Sequence, residues 1–277
     1  MNIFFFGQTS FTAQNLLKEL KSKNKIFLFS RQKNKKRFFY FDLNKRNRRS
    51  FKNLGVKKID YLFYFSSFVP LNEKNSDWEK CKKINIFGLI NLLNDIKIPI
   101  KKIILASSCS IYGSENKKLF NESSYLSPEN FYSMSKFMQE KLLQVYCNIN
   151  EIDFLCYRIG YVFGSNMNDK RLVKKIFLNH KKRKKIKIYN KKMNLNLIHT
   201  KDISYLINKT YKKAKGIFNL TNSKQISLGE YYKFLTKKKS IRNNKMNNFS
   251  PKKIFKKFKN LKELNLEKRI IDFANEN

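Results

Sequence analysis

The 277-residue sequence predicts an α/β fold, a doubly wound parallel sheet with a smaller C-terminal region, on three observations. Short apolar runs alternate with stretches of helical periodicity along most of the chain. The opening run, Asn2 to Phe6, stops at Gly7 and passes directly into a helical pattern, the order of strand, tight turn and helix. Further on, Tyr132 and Lys136 stand one turn apart on a single predicted helix face, after a strand that ends in a cluster of serines.

Composition narrows the class. Hydrophobic residues at 42% and aromatics at 15% exclude an open coil despite a formal charge of +40. The length suits a large core with a small second unit, and we place the boundary so that residues 1–165 carry the sheet and 166–277 form the smaller region, with 195–220 returning to the sheet. No run has the apolar length of a membrane span, since even Ile59 to Pro70 is short and interrupted. The first residues lack the basic start and small-residue cleavage site of a signal peptide. Cys81, Cys109, Cys147 and Cys156 show no CxxC spacing and read as reduced thiols. These features predict a soluble, cytoplasmic protein. Basic runs at Lys35 to Arg37, Arg46 to Arg49, Lys181 to Lys185 and Lys252 to Lys259 invite a polyanion. They are spread over the whole length, however, and no nucleic-acid module accompanies them. Abundant Lys, Asn, Ile and Phe with only eight Gly and four Pro is what an AT-rich coding sequence yields, so no specific nucleic-acid partner is expected.

Taken in order, Asn2 to Phe6 is a strand and Phe11 to Leu20 a helix with apolar Phe11, Leu16, Leu17 and Leu20. The turn between them, Gly7 to Ala13, matches a G-x-x-G-x-x-G dinucleotide loop in which only Gly7 is retained, with Ser10 and Ala13 at the other two positions. Such a loop brings backbone N–H groups and a helix N-terminus to a pyrophosphate. Lys25 to Ser30 is a second strand ending in Ser30-Arg31, and no acid lies between Glu19 and Asp42. An acid at this point would bond the ribose of NAD, whereas Arg31 suits the 2′-phosphate of NADP, so NADP is preferred over NAD. Arg37 to Phe41 is a third strand closed by Asp42-Leu43; Asp60 to Phe65 is a fourth, followed by Ser66-Ser67 and a long helix from Asp77 to Leu93. The fifth strand, Lys102 to Ala106, delivers Ser107 to Gly113 to the sheet edge where ligands of open α/β sheets bind. On the next helix, a fixed Lys136 ammonium beside the Tyr132 phenol would lower its pKa from about 10 and fit it for proton transfer. Asp153 to Arg158 is a sixth strand leading to Gly160 to Gly164. Ile186 to Tyr189, Leu195 to Asp202 and Gly216 to Leu220 read as returns to the sheet alternating with a small cap. From Lys237 the chain is rich in Lys and Asn, with a helix near Lys252 to Phe258. His180 and His199 have no partners at metal spacing, so no metal site is expected, and His199 is read as ordering the loop before Asp202.

In order and spacing these motifs resemble the extended short-chain dehydrogenase/reductase family, the NAD(P)-dependent epimerases, dehydratases and reductases of nucleotide sugars. The resemblance runs from Met1 to about Glu230. It passes through the glycine loop, Asp42-Leu43, Asn85 to Gly88, Ser107 to Gly113, Tyr132 to Lys136 with Glu140 and Leu143, Arg158 to Gly164, Ile198 to Asp202 and Gly216 to Leu220. It implies a Rossmann-like domain that binds the cofactor through Gly7, Thr9, Ser10, Phe11, Arg31, Asp42, Leu43, Ser66 and Lys136, and a substrate-binding C-terminal region. It also implies catalysis by Ser108, Tyr132 and Lys136: Tyr132 as acid/base on a sugar hydroxyl or ketone, Ser108 on the same oxygen, Lys136 on the phenol and the nicotinamide ribose. In many relatives the helices around 77–93 and 132–145 pair between subunits, which implies a homodimer.

Departures from the family pattern sort the reactions. Cys109-Ser110 stands where 4,6-dehydratases carry Asp-Glu, which argues against dehydration. Tyr161 and Leu195 replace an Asn and an Arg that often contact the substrate diphosphate in the family, and Lys191 and Lys192 are the nearest substitute charges. The expected function is therefore 4-keto reduction or epimerisation of a nucleotide sugar, the reductase slightly favoured. The rival is a degenerate nucleotide-binding or scaffold protein without turnover, for which loss of the glycines at 10 and 13 speaks and retention of Ser108, Tyr132 and Lys136 together does not.

Overall fold

The computed structural model describes all residues except 22–23, 32–38, 48–49, 53, 71–74, 115–118, 185–186 and 238–248. In chain order the elements are β1 (Asn2–Phe6), α1 (Phe11–Lys21), β2 (Lys25–Ser30), β3 (Phe39–Tyr40), β4 (Tyr61–Tyr64), α2 (Asn75–Lys80), a π-helical segment (Cys81–Phe87), α3 (Gly88–Asp95) and β5 (Lys102–Ser108). There follow α4 (Phe131–Ile149), β6 (Asp153–Ile159), β7 (Tyr161–Phe163), α5 (Leu172–Lys181), β8 (Asn194–Leu195), β9 (Leu197–His199) and α6 (Thr200–Thr210). The chain ends with β10 (Gly216–Leu220), β11 (Ile226–Ser227), α7 (Leu228–Lys237), α8 (Lys252–Lys257) and α9 (Leu266–Asn275).

Among the described residues seven strands form one sheet in the order β10-β6-β5-β4-β1-β2-β3, every pair parallel. This is the doubly wound fold expected. The order reverses between β1 and β4, which opens a crevice at the carboxyl ends of those strands. Alternation along β1 shows why helices must cover both faces. Ile3 and Phe5 join one core with Ala13, Leu16 and Leu20 of α1 and Ile203, Leu206 and Ile207 of α6. Phe4 and Phe6 join the opposite core with Leu89, Leu92 and Leu93 of α3 and Leu143 and Cys147 of α4. A third core joins Phe163 of β7 to Val173, Phe177, Tyr231, Ile270 and Phe273.

Two expectations change. The third strand is seen as Phe39–Tyr40, and Arg37 and Phe38 lie outside the described residues. Of the expected returns, only Gly216–Leu220 joins the sheet, beside β6. Leu197–His199 pairs instead with β7, and Asn194–Leu195 with β11, while Ile186 lies outside the described residues and 187–189 form no strand. The cause is the bend at Gly160: its N–H still bonds Leu220 of the sheet, whereas the Tyr161 N–H turns to Asn196. An added Cβ at Gly160 would meet the Asn196 carbonyl oxygen at 2.6 Å, so glycine permits this change of partner. His199 then caps α6, its Nδ1 accepting from the Lys201 N–H, and burial holds its pKa at about 4. Among the described residues no helix is long and apolar enough to cross a membrane. All four cysteines are buried and free.

Beneath the serine cluster lies a buried ion pair. Arg158 of β6 donates through Nη2 to Glu140 of α4 at 2.9 Å, both side chains almost wholly enclosed. Glu140 also accepts from the Ser107 hydroxyl, and Arg158 Nη1 donates to the Tyr112 hydroxyl at 2.8 Å, which donates to Asn219 of β10 at 2.8 Å. Removing one charge leaves the other buried without a counterion, a loss of about 3–5 kcal/mol. Glu140→Met and Arg158→Met are each expected to destabilise by that amount in urea denaturation, with the double replacement less damaging than the sum. Additive losses would show that the pair is not coupled.

Candidate active site

A cavity of about 600 Å³ lies over the crevice between β1 and β4. Its lining includes Gly7, Thr9, Ser10, Phe11, Arg31, Leu43, Ser66, Ser108, Tyr132 and Lys136, so nearly all the residues expected from sequence are brought together. Asp42 is the exception. It does not line the cavity; its Oδ1 accepts from the backbone and side chain of Asn44, and its N–H donates to Asn47, which fixes the turn that carries Leu43.

Gly7 makes the floor. Its φ is +93°, and a Cβ would sit 2.4 Å from the Phe65 carbonyl carbon and 2.5 Å from the Ser66 nitrogen, backbone atoms that cannot give way. The turn after it is closed by Ser10 N–H to Gly7 O at 2.9 Å, without a positive φ at Ser10. Ala13 is fully buried against the sheet. Gly7 is thus the position where close approach is obligatory, while Ser10 and Ala13 sit in ordinary conformations with small side chains. A cradle of this kind fits the pyrophosphate of a dinucleotide at the α1 N-terminus.

Asn130 caps α4 through a reciprocal bond with Ser133, fixing the helix start so that Tyr132 and Lys136 both reach the cavity. Ser108 ends β5, and its Oγ accepts from the Ser110 N–H at 3.2 Å and the Ser110 hydroxyl at 2.9 Å. Both acceptor positions being used, the Ser108 proton is directed to the Tyr132 phenol oxygen, with which it is hydrogen-bonded. Burial raises the Tyr132 pKa to about 12; the Arg171 charge and the Ser108 bond pull the other way. Lys136 lies 6.0 Å from the Tyr132 ring centre and donates to Ala106 O at 2.8 Å and Gln139 Oε1 at 3.0 Å. The cation that lowers the Tyr132 pKa in this geometry is therefore Arg171, where the sequence reading assigned that role to Lys136. Burial in turn lowers the Lys136 pKa to about 8.

A second layer holds these groups. Gln139 Nε2 donates to Asn85 O at 2.7 Å. Asn85, buried in the π-helical segment, donates to Ser135 Oγ at 2.8 Å and exchanges bonds with the Phe68 backbone, clamping the cavity wall. A π segment at such a place aims a side chain that a regular helix would direct elsewhere. The sequence reading missed Gln139 and Arg171; Gln139 stands three residues beyond Lys136 on the same face, whereas nothing local marks Arg171. Among the described residues no group of three His, Cys, Asp or Glu could hold a metal.

The profile of the family described as NAD dependent epimerase/dehydratase matches residues 3–220. The chain belongs to this family. It is 27% identical over 195 residues to an uncharacterised protein of Methanocaldococcus jannaschii, a match spanning 67% of this chain and 58% of that protein. It is 26% identical over 112 residues to the UDP-glucose 4-epimerase of Mycoplasma genitalium, spanning 38% of this chain and 33% of that protein. The chain thus spans less than two thirds of the length of these curated relatives. The UDP-glucose 4-epimerase of Thermus thermophilus, solved in complex with NAD, has the same fold, with TM-score 0.84 at 16% identity over 100% of this chain and 98% of that one.

Since Lys136 loses its proton near pH 8, any turnover that needs its charge should fall as pH rises through that value. A kcat/KM profile measured from pH 6 to 10 checks this, and a plateau extending past pH 9.5 would contradict it.

Proposed function

We propose that this family member is an NAD(P)-dependent oxidoreductase or epimerase of a nucleotide sugar, with 4-keto reduction the favoured reaction. The observation that carries the reading is the convergence of Ser108, Tyr132 and Lys136 on one cavity whose other end is the Gly7 cradle. Gly7, Thr9, Ser10 and Phe11 would hold the pyrophosphate, Ser66 and Leu43 the adenosine half, and Lys136 the nicotinamide ribose. A nicotinamide dinucleotide bound there supplies hydride transfer. Arg31 lines the cavity and, among the described residues, no carboxylate does, which favours NADP over NAD.

The protein's own groups handle the proton. With its pKa near 12, Tyr132 is a neutral phenol at physiological pH, the form that donates to a carbonyl oxygen becoming an alkoxide. Ser108 bonds the same oxygen and steadies the charge that develops there. Elimination of water needs a further acid and base, and neither Cys109, buried with its Sγ donating to Arg158 O at 3.2 Å, nor Ser110 provides them. The smaller region, 166–277 apart from α6 and β10, which pack with the main sheet, is proposed to bind the sugar. The non-catalytic scaffold is disfavoured by Lys136, whose burial is a cost that a scaffold has no reason to keep.

Tyr132→Phe should lower kcat by about 10²–10⁴-fold while NADPH, titrated by nicotinamide fluorescence against NADH, binds as in the wild type and more tightly than NADH. Substantial residual turnover would overturn the role of Tyr132, and failure of folded protein to bind either dinucleotide would favour the scaffold. We also propose a homodimer through Met134, Met138, Val145 and Ile149, an exposed stripe along α4, with Phe87 exposed on the π-helical segment. Sedimentation should give a dimer that Val145→Glu dissociates; a wild-type monomer at micromolar concentration would refute it.

A further inference from the structure

Lys136 is a buried cation without a counterion. Its side chain is almost wholly enclosed, and among the described residues its ammonium forms no ion pair. Glu140, the carboxylate that faces it from the same helix, is committed to Arg158 and Ser107. Its other titratable neighbours carry no compensating charge on the page: the Tyr132 phenol one turn back is neutral, and burial keeps the Cys156 thiol of β6 protonated, with the Cys81 thiol facing it from the π-helical segment. A charge in such a place depends on dipoles that accept its hydrogens. Two do so, the Ala106 carbonyl oxygen at 2.8 Å and the Gln139 amide oxygen at 3.0 Å.

Gln139 offers what neither a carboxylate nor an aliphatic side chain would. Its Oε1 faces an ammonium, which can only donate, and its Nε2 faces the Asn85 carbonyl oxygen at 2.7 Å, which can only accept. These two contacts fix the orientation of the amide, and the Asn85 side chain in turn grips the backbone of Phe68 in the cavity wall. We propose that Gln139 is a positioning residue that keeps the Lys136 ammonium charged in place and aims its one uncommitted N–H into the cavity. An ammonium has three hydrogens. With one on Ala106 and one on Gln139, the third is left for a ligand oxygen, and the ammonium is held 6.0 Å from the centre of the Tyr132 ring. That this hydrogen meets the nicotinamide ribose rests on the functional reading above; the placement of the charge does not.

The test is the pH titration, by NMR, of the Lys136 Cε resonance in protein carrying isotopically labelled lysine, the resonance being assigned by its loss in K136R. Wild type, Q139M and Q139E are compared without cofactor, and NADPH affinity is measured by nicotinamide fluorescence across the same pH range. Methionine fills nearly the same space as glutamine but offers no oxygen, so a role in packing alone would leave the titration unmoved. The Lys136 midpoint, at about pH 8 in the wild type, should fall by about one pH unit or more in Q139M and stand at or above the wild-type value in Q139E, which keeps an acceptor. The alkaline loss of NADPH affinity should move with it. A midpoint within about 0.3 pH unit of wild type in folded Q139M would overturn the inference, and so would a fall in Q139E as large as that in Q139M. A midpoint that moves as expected while NADPH affinity does not follow would leave Gln139 positioning Lys136 and count against the cofactor role of Lys136 alone. Q139L replaces Q139M if the methionine variant does not fold.

Discussion

The buried pair of Glu140 and Arg158 is the constraint on which the site depends. It joins α4 to β6, and through Ser107 and Tyr112 it reaches β5, the 3₁₀ turn after it and β10. The guanidinium also lies 4.9 Å from the centre of the Tyr112 ring, which stacks on both Phe120 and Phe249, themselves in contact. Ser107 and Ser108 are neighbours on one strand and so point to opposite faces. Locking Ser107 to Glu140 therefore fixes the direction of Ser108, and fixing α4 at Glu140 holds Lys136 one turn earlier on the same helix. A hydrophobic replacement could match the stability, but it would not set these two directions.

Precision on the cofactor side comes from a different source, steric approach. The carboxyl ends of β1 and β4 come together at Gly7 with no room for a Cβ, and Gly88 meets Leu43 in the same way, its added Cβ falling 2.8 Å from the Leu43 side chain. The first closure shapes the floor of the crevice and the second sets the turn that carries its far wall. Because the obligatory backbone approach of the loop falls at Gly7, the other loop positions tolerate Ser10 and Ala13. Loss of two glycines from the motif is thus no sign of a ruined loop.

Much of this was legible in the sequence, and the gaps have physical reasons. The alternation of Phe4 and Phe6 with Ile3 and Phe5, the helical spacing of Leu16 and Leu20, and the pairing of Tyr132 with Lys136 are local patterns that periodicity exposes. Short strands in the cap are not: β8 and β9 have two and three residues, and their partners, β11 and β7, are set by tertiary packing. Lysines mislead in a chain this basic. Lys102 is nearly inaccessible, its ammonium donating to the carbonyls of Tyr211, Lys212 and Ala214 just after α6, yet in sequence it is one more surface charge. Arg171 was hidden for the same reason, and its place in the cavity near Tyr132 appears only in the fold.

The electrostatics of the cavity bear on the direction of the chemistry. Two arrangements are possible for a tyrosine acid/base: a phenolate held ready by a close ammonium, or a neutral phenol held by burial. Here the ammonium of Lys136 is drawn toward Ala106 and Gln139, and the phenol is neutral. Ser108, donating to the phenol oxygen, and Arg171 both oppose burial without overcoming it.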